Sequence, residues 1–84
     1  MTLSDEGARK VRELCERISP ILAGNEPEVI GATLCELLAT LLAGHVVIGS
    51  VEETHKLREE ILAHHIAYLW ELVTLTAKEL GTPQ

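Results

Sequence analysis

The residues of this 84-residue chain best suited to chemistry are four histidines and the carboxylates near two of them. Glu52 and His55 are three residues apart, the spacing with which ferritin-like carboxylate sites present two ligands from one helix. Glu60 and His64 are four residues apart, so on a helix they lie one turn apart on the same face. Such pairs could hold a divalent metal or exchange a proton as an acid and a base.

Neither pair is sufficient for a metal centre by itself. A ferritin-like site requires two Glu-x-x-His pairs and further glutamates on facing helices. This sequence has one such pair, and the only carboxylate beyond the first turn of its second predicted helix is Glu36. We therefore expect no cofactor and no metal in the single chain. The alternative is a carboxylate–histidine metal-binding protein whose site, from Glu52, His55, Glu60 and His64, is completed across a dimer.

The other two histidines are expected to have structural roles. His65 shares a helical face with Ile61 and Leu69, which favours a buried imidazole with a hydrogen-bond partner. His45 follows the predicted end of the second helix and can cap its last carbonyl groups.

Motifs that would indicate an enzyme or a nucleic-acid-binding protein are missing from the sequence. The glycines between Gly24 and Gly49 fit neither a P-loop nor a dinucleotide-binding spacing. No Ser or Cys lies beside a His in a recognisable nucleophile motif. Thirteen acidic against seven basic residues give a net charge of −6, and no Lys/Arg cluster is present to contact phosphates. We predict no enzymatic activity for the isolated chain and no nucleic-acid partner.

The segment expected to organise the fold is Val29–Ala43, which carries a single charge, Glu36. Its leucines form a broad apolar stripe, and we expect it to be the most buried helix of the molecule. Small side chains recur along it at intervals of four and form a ridge that a second helix can approach closely. The ridge consists of Gly31, Cys35, Ala39 and Ala43.

Start and stop signals predict three helices, at residues 3–18, 26–43 and 51–80, in a single domain covering residues 1–84. Thr2 or Ser4 can cap the first helix, and Pro20 is expected to end it. Asn25 is the predicted N-cap of the second helix. Ser50 with Glu53 forms a capping box for the third, which Gly81 ends.

The two connections are expected to carry apolar side chains. Ile21 and Leu22 lie in the first and should fill one end of the core. The β-branched run 46–48 lies in the second, and either covers the other end or contacts a second subunit. We expect Cys15 and Cys35 to be small core residues on different levels of a helical hairpin, too far apart for a disulfide.

A membrane location is disfavoured by the sequence. Gly44, Gly49 and Ser50 interrupt the apolar run before the roughly 20 residues that a membrane span requires. The first ten residues lack the apolar region of a signal peptide. We therefore expect a cytoplasmic protein with no membrane partner.

Apolar residues make up 46% of the chain, more than a domain of 84 residues buries easily. The third helix is apolar on more than one face. We therefore predict an all-α fold, a three-helix antiparallel bundle with a long third helix, completed by dimerisation. The predicted interface consists of three small residues and five large apolar ones, namely Gly31, Cys35, Ala39, Leu42, Ile66, Leu69, Trp70 and Val73.

These features favour a small, self-associating helical protein that acts as an interaction or accessory subunit, with room for a second protein partner. A small-molecule pocket at the interface, lined by Tyr68, Trp70 and the leucines of the second helix, is neither favoured nor opposed by the sequence.

Overall fold

A computed structural model describes residues 3–83 of the chain. Three helices, α1 (Asp5–Leu22), α2 (Pro27–Ala43) and α3 (Val51–Leu80), make up most of it, and no strand forms within residues 3–83. The predicted all-helical chain with a long third helix is therefore confirmed. The chain divides into two compact units, residues 3–39 and residues 40–83, with the division inside α2.

Helix α1 begins as predicted and ends later than predicted. The Ser4 hydroxyl caps it by accepting a hydrogen bond of 3.0 Å from the backbone N–H of Gly7. The predicted end at Ile18 is wrong, because the helix continues to Leu22 with Pro20 inside it. Proline removes one hydrogen bond, but its fixed φ is helical, and only the last turn lies beyond it. The predicted cap at Thr2 lies outside the described residues.

The side chain of Asn25 completes α1 instead of starting α2. Its amide nitrogen donates to the carbonyl oxygens of Ile21 and Leu22 at 3.3 and 3.1 Å. The predicted N-cap role of Asn25 is therefore wrong. Ile21 and Leu22 belong to the last turn of α1, where Ile21 is 74% exposed and Leu22 is half-buried. Ile21 therefore does not fill the end of a core.

Helix α2 begins at Pro27, where the missing N–H of proline costs nothing. The carbonyl oxygen of Glu26 accepts the first two helical hydrogen bonds, from Val29 at 3.0 Å and Ile30 at 3.1 Å. Residues 23–26 form the whole connection between α1 and α2.

The prediction that α2 is the most buried helix is wrong for this single chain. None of its residues is buried, and only Ile30, Thr33, Leu38 and Leu42 are half-buried. Cys15 and Cys35 are both free and exposed, so their predicted core positions are wrong as well. The apolar pattern identified helix faces that favour burial, but it did not show whether this chain or another one buries them.

The boundaries predicted for α3 are confirmed. The Ser50 hydroxyl caps its start by accepting a hydrogen bond of 3.0 Å from the N–H of Glu53. Gly81 ends it in the left-handed conformation, at φ 73°, where a residue with a Cβ would be strained. A turn precedes the helix, with Gly49 at φ 83° and the N–H of Ser50 donating to Val47 O at 3.3 Å.

Thr54 fastens this turn to the first part of α3. Its side chain is one of the most buried of the described residues, with 8% exposure. The hydroxyl oxygen accepts a hydrogen bond from the N–H of Val47 at 2.9 Å. The same hydroxyl lies within donating distance of two carbonyl oxygens, at 3.1 Å from Val47 and 2.8 Å from Ser50.

Arg58 fastens the carboxyl end of α2 to α3. Its Nε donates to the carbonyl oxygens of Leu42 and His45 at 3.0 and 3.1 Å, and its Nη2 donates to Ala43 at 3.0 Å. A positive charge is favourable here because unpaired carbonyl groups make the end of a helix negative. Thr54 and Arg58 together define a hydrogen-bonded corner within residues 40–83.

We expect Arg58→Met to lower the free energy of unfolding by about 1–3 kcal/mol, because the aliphatic stem remains while three carbonyl groups lose a charged donor. Chemical denaturation followed by circular dichroism measures this change. Lys56→Met is the matched control, since it removes the same charge from an exposed position of the same helix and should change stability by less than about 0.5 kcal/mol. An equal loss in both variants would show that charge, and not the corner, is responsible.

Candidate association surface

The most prominent feature of the described residues is the amount of apolar side chain exposed to solvent. Nineteen large apolar residues within 3–83 are between 39% and 96% exposed, whereas the only buried apolar residue in that range is Ala77. Exposed apolar residues are ordinary when scattered singly, but contiguous apolar surface marks a site of association. The predicted interface residues lie on α2 and α3.

The ridge of small residues on α2 is open along the part predicted to be an interface. Gly31, Cys35 and Ala39 are exposed, and Leu42 is half-buried. A Cβ built on Gly31 would meet no atom within 4 Å. Within residues 3–39, no helix therefore packs closely on this ridge, which is available to a second helix.

The remaining predicted interface residues lie on the second half of α3, and all are exposed. Their exposed fractions run from 40% for Val73 to 66% for Trp70, with Ile66 and Leu69 between these values. Leu69 and Val73 also line a shallow apolar groove along the helix. The other residues of that groove are Leu72, Thr76, Ala77, Leu80 and Thr82.

Several exposed apolar residues were not among the predicted interface positions. Leu72, Leu75 and Leu80 continue the apolar surface of α3 towards its end. At the corner, Val46 and Val51 are exposed and Ile48 is almost fully exposed at 96%, whereas Val47 is held by Thr54. The spacing of the leucines on α3 could have identified Leu72 and Leu80. The run 46–48 was expected either to cover the end of the bundle or to contact a second subunit, and the exposure of Ile48 does not fit the first of these.

The four candidate metal ligands do not form a metal centre in one chain. His55 Nε2 lies 2.8 Å from Oε1 of Glu59. The carboxylate beside His55 is therefore that of Glu59 and not that of Glu52. Glu60 and His64 line another shallow depression on α3, together with two alanines. Across residues 3–83, no group of three or more His, Cys, Asp or Glu side chains could hold a metal ion. The dimer-completed alternative would therefore need ligands from two chains.

The two remaining histidines bond to the backbone as expected, although His65 is less buried than predicted. His65 is half-buried, and its Nδ1 lies 2.8 Å from the carbonyl oxygen of Ile61, which accepts the hydrogen bond. His45 Nδ1 lies 2.7 Å from the carbonyl oxygen of Leu41 and so caps the end of α2. Both imidazoles are one helical turn from their acceptors.

None of the helices within the described part of the chain combines the length and the apolar character that crossing a bilayer requires. Comparisons with protein-family models, with curated proteins and with solved structures found no match to this chain. The exposed apolar surfaces of α2 and α3 are the features of the chain that bear on function.

We expect Ala39→Leu to lower the melting temperature and to weaken its dependence on protein concentration. A larger side chain on the ridge should hold a second helix away, at a cost of about 1–3 kcal/mol. Thermal melts at two protein concentrations measure both effects. Ala39→Ser keeps the side chain small and should cost only a few tenths of a kcal/mol through helix propensity. If Ala39→Leu changes neither quantity, the ridge is not a contact surface.

Proposed function

We propose that this chain is a small, self-associating helical protein, a homodimer that acts as an interaction or accessory subunit and not as an enzyme. The observation that carries the proposal is the exposure of large apolar side chains along both α2 and α3. Water contact with this much apolar surface is unfavourable, and a second copy of the chain offers the same kind of surface in return.

The number of exposed apolar residues in a single unit supports a second copy. Within residues 40–83 alone, eleven large apolar residues are at least 40% exposed. An interface of standard size takes about 20–30 residues from each partner, so these side chains can supply the apolar centre of one.

In the proposed dimer, α2 and α3 of both chains form a four-helix antiparallel bundle. Its core is aliphatic, since the sequence has no Phe, one Trp and one Tyr. The small ridge on α2 allows a close helix approach, and the larger side chains of α3 fill the space between helices. The outer faces of such a dimer would remain available to other proteins, as the proposed accessory role requires.

We expect sedimentation equilibrium or light scattering at micromolar concentration to give twice the chain mass of 9.2 kDa. Leu69→Glu should raise the dissociation constant at least about 100-fold, because an unpaired charge at an apolar interface costs several kcal/mol. Thr74→Glu is the matched control, because it adds the same charge to an exposed position of the same helix that is not among the predicted interface residues. A wild-type chain that melts cooperatively as a monomer at every concentration would overturn the proposal.

A further inference from the structure

We propose that two copies of α3 pair antiparallel along a continuous seam on the second half of the helix. This inference rests on the homodimer proposed above and names the surface that holds it together. The seam consists of Leu62, Ile66, Leu69, Val73, Thr76 and Leu80. Each seam packs against the same seam of a second copy of the chain.

The seam has the spacing of a heptad repeat. Its members follow one another at intervals of four, three, four, three and four residues, and five of the six are apolar. This alternation is what two helices need to interlock their side chains over several turns. Leu62 is half-buried, while the later members are exposed, with Leu80 reaching 72%. The chain therefore presents a helix-pairing surface that its own residues leave uncovered.

The residues beside the seam extend the apolar face. On one side lie Ala63, Trp70 and Ala77, and on the other side lie His65, Leu72 and Glu79. An apolar face this wide is typical of helices in a bundle, where more than one neighbour must be accommodated. The polar residues Glu71 and Lys78 lie on the opposite side of the helix, where they remain in water.

Charge favours the antiparallel direction. Extended towards the start of α3, the heptad spacing places Glu59 and Glu52 on the line of the seam. In a parallel pair, each of these glutamates would lie opposite the same glutamate of the second chain. The first ten residues of α3 contain four glutamates against Lys56 and Arg58, so two such stretches would meet with a net charge of −2 each. Like charges brought together in this way are destabilising.

An antiparallel pair avoids that conflict and matches every seam residue. With the two-fold axis at Glu71, Leu62 lies opposite Leu80, Ile66 opposite Thr76, and Leu69 opposite Val73. Glu71 faces away from the seam, so no charge is buried at the axis. The acidic starts of the two helices, taken at His55, then lie about 48 Å apart along the pair. The surface is thus complementary to a second copy of itself.

Electron-spin distance measurements on the full chain test this arrangement. The background carries Cys15→Ala and Cys35→Ala, because both native thiols are free and exposed. Three single variants, His64→Cys, Glu71→Cys and Lys78→Cys, then place one spin label per chain on the outward face of α3. Light scattering on each labelled variant first checks that the dimer mass is retained, and dilution with unlabelled protein confirms that the distances join two chains.

The antiparallel pair predicts the shortest distance between labels at position 71. At positions 64 and 78, the labels are displaced by about 21 Å along the helix pair, so both distances should be equal and about 5–10 Å longer than at position 71. Equal distances at all three positions would indicate a parallel pair and would overturn the inference. Distances without a minimum at position 71 would place the interface elsewhere and would also overturn it. In either case a retained dimer mass leaves the proposed function standing, whereas a monomer mass for the unlabelled wild-type chain overturns both.

Discussion

The constraint on which this structure depends is a mismatch between two amounts of apolar surface. Its helices carry more apolar surface than the described residues of one chain bury. Helix α2 has a broad leucine stripe beside its ridge of small residues, and α3 is apolar on more than one face. Burial of apolar surface is the main favourable term in folding, and conformational entropy opposes it at nearly equal size. Within residues 3–83, nineteen large apolar residues remain exposed, so much of that favourable term is unused.

Local polar interactions organise the second unit independently of that apolar surface. Arg58 reaches three carbonyl groups at the end of α2, and Thr54 holds the turn that leads into α3. These contacts satisfy backbone groups that would otherwise lack partners at a helix end. They also fix the direction in which α3 leaves the turn, and so they fix where its apolar seam is presented.

The sequence predicted features that depend on near neighbours and missed those that depend on distant ones. Ser50 and Gly81 are strong local signals, so both ends of α3 were correct. Pro20 was expected to end α1, but one turn from the end its lost hydrogen bond is tolerated. Asn25 can donate to a preceding helix or cap a following one, and pattern alone does not choose between them. The contacts of Arg58 join residues that are 13 to 16 positions apart, which no helical periodicity predicts. Burial could not be predicted either, because it depends on which other residues pack against a helix face.

The absence of buried side chains from the described parts of α1 and α2 bears on how long the chain survives in a cell. Segments with few buried contacts open locally at little cost in free energy, and opened segments are the substrates of proteases. In the proposed dimer, pairing with a second copy would compete with this loss, and the rate of pairing would rise with the square of the chain concentration. The amount of such a protein in the cell would then rise more steeply than its rate of synthesis. At low concentration most chains would be unpaired and degraded, whereas at high concentration most would be paired and protected from proteases.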